Sequence, residues 1–453
     1  MAAKPTQSVR TAALPAAAFL WLLAGPAAGE TAAEPGAETL PAETRSGYED
    51  ESRLGRGPTD PSNEVLEADE ERDSALEFPR FDALFEPWYA FKEDLNERIG
   101  LQFVIAETAL CQKATRNIDK NDAAGGILEF TGTWTLINRD EPNQGLFGFK
   151  IENRHRFTRR RQPQNLAFEF GSAYSTAFGY AQFGFEPVEL WWEQHLFDDR
   201  AAVRVGKQLP FAAFDYFSLK SPKTGFVSAP FTQNPTIAFP SFGLGAAAAI
   251  YPTKELYFVA GIHDANGRPQ RTRHMFRSFF NDSDYFKAAE LGWDPEFSIG
   301  KGSYHIMGWH ADRREKRDIP EDWGLTLSGE QNYKDWLFFL RYGYSNDTSS
   351  VLKHMLAGGV ALNNVLGQDN DVIALGLSWG KIASFDRIET EIAGERFEFD
   401  PVANRNQYHG ELFYRLELTP RLTVTPNVQT VIEPAAENNK AVGVFRIRGR
   451  FAM

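Results

Sequence analysis

From Leu101 onward the chain alternates apolar and polar residues with period two, repeatedly, in stretches of about ten residues. Side chains two apart on a strand share a face, so each stretch reads as a strand with one greasy and one polar side. Between Gly126 and Asn138, Leu128, Phe130, Trp134 and Leu136 take one face and Glu129, Thr131, Thr133 and Thr135 the other. After the turn residues Asp140 to Gly145, Phe147, Phe149 and Ile151 alternate with Lys150, Glu152, Arg154 and Arg156, which predicts a hairpin. Trp336, Phe338, Leu340, Tyr342 and Tyr344 form a third stripe; Ile373, Leu375, Leu377 and Trp379 form a fourth.

Sixteen such segments can be marked, from Leu101–Cys111 to Ala441–Phe451. A soluble sandwich also alternates, so strand number, connections and charge placement decide. Asp198-Asp199, Pro252-Thr253 and Thr419-Pro420 are tight connections, whereas Leu209 to Ser241, Ala265 to Asp284 and Ile382 to Gln407 are long. Short turns at one end and long loops at the other, on strands long enough to cross a bilayer when tilted, are the pattern of an all-β transmembrane antiparallel barrel. In the last segment Phe445, Ile447 and Phe451 share one face while Arg446, Arg448 and Arg450 stack on the other. In a membrane barrel that charged face is the lumen. Leu166 to Tyr174 also alternates, but accepting it would break the succession of short and long connections, so it is assigned to a surface loop. The Leu209–Ser241 segment, rich in Phe, Pro and Ser, is the natural constriction loop.

The region before the barrel has another character. Lys4 and Arg10, the apolar stretch Thr11–Ala24 and the small residues Ala27, Ala28 and Gly29 read as a cleavable signal peptide over residues 1–29, hence export. Of the formal net charge of −13, fifteen Asp or Glu and five Arg between Glu30 and Arg80 hold −10. That segment is poor in aromatics and is expected to be disordered over residues 30–80. From Phe81 the apolar spacing becomes helical, and Pro87 at a first-turn position predicts a short periplasmic helix within 81–100, before a barrel domain over 101–453. One cysteine, Cys111, excludes an internal disulfide or a cysteine-rich metal site, and no metal or cofactor is expected. No basic tract suggests nucleic-acid binding. His195 and Glu193 share a strand face, a spacing that suits lumen hydrogen bonding rather than a nucleophile and its base, so an enzyme is the lesser reading.

The run Glu189-Leu190-Trp191-Trp192-Glu193-Gln194-His195-Leu196-Phe197-Asp198-Asp199-Arg200, continuing into Val203-Arg204-Val205-Gly206-Lys207, resembles the strand-turn-strand signature of carbohydrate-selective porins of Gram-negative outer membranes. Asp371–Gly380 and Leu418–Pro426 are similar to late strands of that family. The resemblance implies a sixteen-stranded channel, often a homotrimer, passing sugars and other small polar solutes through a charged constriction. Two departures are visible: Phe451 is followed by Ala452 and Met453, where family barrels usually end on an aromatic, and the acidic segment is longer than a porin needs.

Strand parity places Glu189, Trp191, Glu193, Arg204, Arg415, Arg446, Arg448 and Arg450 in the lumen as pore-lining residues. Arg supplies donors and Glu acceptors for sugar hydroxyls, and Trp191 is either a platform under a sugar ring or packing for the constriction loop. Glu411 and Glu417 are expected to hold the arginine ladder and moderate its field. On that reading Arg446→Ala and Arg448→Ala weaken sugar block and shift selectivity toward cations. An anion- or organic-acid-selective porin is the alternative that the arginines favour and the interleaved glutamates oppose.

Overall fold

A computed structural model describes residues 54, 57–69, 74–76, 78–116, 121–139, 141–157, 161–346, 349–365, 370–383, 388–392, 395–399, 405–436 and 440–453. The expected signal peptide over residues 1–29 and most of the acidic segment lie outside these residues. Each of the sixteen alternating segments is a strand: β1 Leu101–Ala114, β2 Asp122–Ile137, β3 Gly145–Arg156, β4 Phe183–Leu196, β5 Ala201–Gln208, β6 Gly243–Ile250, β7 Leu256–Asp264 and β8 Tyr285–Trp293. The second half comprises β9 Gly300–Ala311, β10 Asp322–Tyr333, β11 Trp336–Ser345, β12 Leu352–Asn363, β13 Val372–Ile382, β14 Asn406–Thr419, β15 Leu422–Ile432 and β16 Ala441–Ala452. Neighbours pair antiparallel throughout, and β16 closes onto β1 with Leu110 opposite Arg448 and Gln112 opposite Arg446. Closure leaves no sheet edge, which the bilayer interior requires. No helix among the described residues is long and apolar enough to cross a membrane.

The alternation converts directly into two surfaces. Leu327, Leu340, Leu377 and Ile447 point outward and are more than half exposed, whereas their strand neighbours Thr326, Arg341, Ser378 and Arg448 are buried inside. Trp134, Trp293 and Trp336 mark the short-turn end of the outer face, and Trp323, Tyr344 and Tyr408 the long-loop end, the arrangement of two interfacial girdles. Leu166–Tyr174 is a loop, as expected, but not on the surface: after a 3₁₀ turn at Pro163–Asn165, one helical turn, Leu166–Glu169, folds inward, and Leu166, Phe170 and Tyr174 are buried because their apolar side chains pack inside the barrel.

Before the barrel, the helix Glu86–Ile99 starts with Pro87 in its first turn and ends where Gly100 takes a left-handed φ of 75° and donates to the Asn96 carbonyl. Trp88 meets Phe103 edge-on at 5.6 Å, which fixes the helix under the short-turn end of β1. The expectation of disorder from Glu30 to Arg80 fails over part of its length. Residues 57–69 are ordered, with a helix, α1, over Pro61–Asp69. Asp60, Glu64 and Val65 of this stretch are buried inside the barrel. The physical reason is local: two acidic side chains meet buried cations there, and Val65 packs on Val104 and Ala106 of β1.

Candidate functional site

The lumen has two kinds of wall. Tyr257, Phe286, Met307 and Trp309 on one side, and Leu337, Phe339, Met355 and Phe413 on another, form two apolar patches on its inward surface over β7–β9 and β11–β14, beside inward polar groups such as Glu290, His305, Arg341 and Glu411. The 209–242 loop folds in and covers both. Phe211, Phe214 and Phe239 pack on the first patch and Phe217, Phe226 and Phe231 on the second, with Phe217 and Phe339 centroids 4.5 Å apart. Burial of these six rings is the main force seating the loop.

Polar anchors fix its position. Inside the loop, Lys220 donates to the carbonyls of Phe211 (2.5 Å), Phe214 (3.1 Å) and Asp215 (3.3 Å). Asp215 pairs with Arg341 of β11. Burial disfavours the Asp215 charge, but Arg341 and His305 outweigh it and hold the carboxyl well below the usual carboxylate range. Burial likewise pushes the Lys220 ammonium down to about 7, against the attraction of Asp215. Glu411 on β14 accepts from Val227 N (2.9 Å), Ser228 N (3.0 Å), Ser228 Oγ (2.5 Å) and Asn427 Nδ2 (2.7 Å).

The remaining wall, β1–β5 with β16, is charged. On β4 and β5, Glu193 binds the Arg204 guanidinium at 2.7 Å and His195 Nε2 at 2.9 Å. That guanidinium lies 3.6 Å over the Trp191 ring, whose Nε1 donates to Glu189 at 3.2 Å. Trp191 can lie flat because Gly148 is opposite it: a Cβ there would come within 2.1 Å of the ring. Only 1% of Trp191 is exposed, so it is not an open platform for a sugar ring; Arg204 covers the face that one would use. Glu189 also pairs with Lys150 at 3.3 Å.

The three arginines of β16 all point inward, yet none bonds to Glu411 or Glu417 as expected of the ladder, although the Glu411 charge still acts on Arg446 and Arg448. Arg446 donates to Gln112 Oε1 (2.6 Å) and to the Thr176 carbonyl (2.7 Å) in the loop between β3 and β4. Arg448 donates to the Pro222 and Gly225 carbonyls of the constriction loop at 2.9 and 2.8 Å. Arg450 pairs with Glu129 at 2.5 Å. The correction has a simple cause: Glu411 is taken up by loop N–H groups, and Glu417 by Thr423 Oγ1 at 2.7 Å and Arg415 at 3.5 Å. Arg415 stands apart from the ladder, bonded to the Asn370 carbonyl at 3.2 Å near a short turn. Lys150, Glu129 and Lys223 belong to the charged wall as well. Alternation had already put Lys150 and Glu129 on the polar faces of their strands, but nothing in the sequence showed that Lys223 would reach Glu129 at 2.6 Å.

Comparison with known proteins agrees with this architecture. The family model described as "Carbohydrate-selective porin, OprB family" matches residues 143–318 and 322–451. Porin AaxA of Chlamydia felis is 20% identical over 377 residues, 80% of each chain. Porin AaxA of Chlamydia abortus is 22% identical over 240 residues, 51% of this chain and 49% of that one, so this chain spans about half the length of that relative. The high-pH structure of Pseudomonas putida OprB has the same fold, with a TM-score of 0.66 at 14% identity over 81% of this chain and 97% of that one.

Proposed function

The chain belongs to the carbohydrate-selective porin, OprB family, an outer-membrane barrel family, and from that premise we propose that it conducts carbohydrates and other small polar solutes passively into the periplasm. The observation that carries the reading is the division of the lumen. A sixteen-stranded barrel is wide enough for an aqueous channel. An inward loop held by aromatic burial on the other side supports a solute path along the charged wall of β1–β5 and β16, the side where Gly57–Asp69 also lies. That wall carries both donors, such as Lys150, Arg204 and Arg448, and acceptors, such as Glu129, Glu189 and Glu193, as uncharged hydroxyl-rich solutes need. No catalytic step is part of this proposal, since His195 is held between Glu193 and Asp199 with no nucleophile in the set. The resemblance to the family supports a homotrimer, which analytical ultracentrifugation in detergent would test.

Proteoliposome swelling tests the transport reading: liposomes carrying the protein should swell in isosmotic glucose and maltose. Swelling in succinate alone would favour the anion-selective alternative.

A further inference from the structure

The stretch Gly57–Asp69, with Thr59, Asp60, Glu64 and Val65 buried, occupies the charged side of the lumen, where the proposed solute path runs. Its attachments are specific. Asp60 binds Arg204 Nη1 at 2.5 Å, beside the Glu193 contact, and also accepts from Ser62 N at 3.1 Å in the first turn of α1. Glu64 lies 3.2 Å from Lys150 and pairs with Lys223, while Thr131 Oγ1 donates to it at 3.4 Å. Lys150 donates to the Thr59 carbonyl at 2.6 Å, and Gly57 N donates to the Ala212 carbonyl of the constriction loop at 3.3 Å. The stretch therefore touches β1, β2, β3, β5 and the constriction loop together.

Charge bookkeeping explains why an acidic stretch seats there. Without it, wall and loop bring together four cations, Lys150, Arg204, Lys223 and Arg450, and three carboxylates, Glu129, Glu189 and Glu193. Buried cations need partners, and Asp60 and Glu64 supply carboxylates to three of the four. Size matters as much: a helix with its side chains is about 10–12 Å across, and this one stands in a lumen that the loop already fills on one side.

Resting on the porin reading, we infer that Gly57–Asp69 is a plug carried by the chain itself, whose Asp60 and Glu64 occupy a carboxylate-binding site made by Arg204, Lys150 and Lys223. Released from that site, the plug widens the channel and leaves a cationic wall that attracts anionic solutes. Seated, the stretch narrows the solute path without sealing it, so the full chain conducts and release of the stretch raises the current through each channel.

The test compares the full chain with Asp60→Asn/Glu64→Gln in planar bilayers and adds Ser62→Cys in a Cys111→Ser background, labelled with a bulky maleimide-polyethylene glycol. Neutralising the two carboxylates should raise single-channel conductance at least about twofold and move the reversal potential toward anions. The Ser62→Cys thiol should be protected in the folded barrel and become reactive once Asp60 and Glu64 are neutralised. Unchanged conductance and selectivity in a folded double variant overturn the plug and leave the porin reading standing. A Ser62→Cys thiol that labels freely with both carboxylates present also overturns it. If neither protein conducts, the porin reading fails, and the labelling alone decides whether the stretch is seated in the lumen.

Discussion

Glu411→Ala should release the constriction loop without dismantling the barrel. Three of the four hydrogen bonds to this carboxylate come from the loop: Val227 N, Ser228 N and Ser228 Oγ. Bonds to a charged group contribute about 1.5–3 kcal/mol each, but they are not additive, and the loop N–H groups can find water once the segment lifts. A net loss of about 3–4 kcal/mol in loop docking is therefore expected, which lowers the ratio of docked to undocked loop by roughly two to three powers of ten. The aromatic contacts of Phe217, Phe226 and Phe231 remain, so the loop becomes mobile rather than expelled. Strand pairing on β14 uses backbone groups and is untouched. Trypsin reads the result, since Lys220 and Lys223 in the loop are buried. The folded wild-type barrel should resist cleavage there, Glu411→Ala should be cut, and Glu411→Gln, which keeps one acceptor oxygen, should fall between. A folded Glu411→Ala barrel with wild-type trypsin resistance and wild-type current noise would refute this assignment.

Arg448→Ala removes two bonds to the Pro222 and Gly225 carbonyls and should loosen the same loop by about 2–3 kcal/mol, seen as more frequent closures at a given voltage; any change in sugar block should track that gating. Gly148→Val drives a side chain into Trp191 and should destabilise the barrel by about 1–3 kcal/mol, lowering the temperature at which heat-modifiable gel migration is lost. Because the folded Asp215 carboxyl lies below its ordinary value, the stability it contributes is fully present above about pH 4 and lost as pH falls below that. The share of acid sensitivity that Asp215 contributes to heat-modifiable migration should therefore lie below about pH 4, and Asp215→Asn should flatten that part of the profile.

The strands were readable because lipid and lumen impose opposite demands on alternate residues. That contrast survives in β2, β11 and β16, where Phe130, Phe338 and Ile447 face out and Glu129, Phe339 and Arg448 face in. Phe339 also shows the limit of the rule: an inward residue can be apolar when a loop covers it. Side-chain direction was legible for Glu189, Glu193, Arg204 and the β16 arginines, but partners were not. Arg446 and Arg448 bind the backbone carbonyls of Thr176, Pro222 and Gly225, and a carbonyl carries no residue-type signal. Trp191 turned inward as parity required, yet its covering by Arg204 depends on a cross-strand stack that spacing does not reveal. Asp60 and Glu64 were hidden by averaging: the charge of the whole acidic segment argues for solvation, while two of its carboxylates find buried cations far along the chain.

Passage of neutral hydroxyl-bearing solutes through the lumen is tested most directly by single-channel recording in a planar bilayer. The protein should form ion-conducting channels whose current falls on addition of glucose or maltose, with succinate and phosphate having the smaller effect. Membranes that stay silent, or channels blocked by succinate and phosphate but indifferent to both sugars, would contradict it.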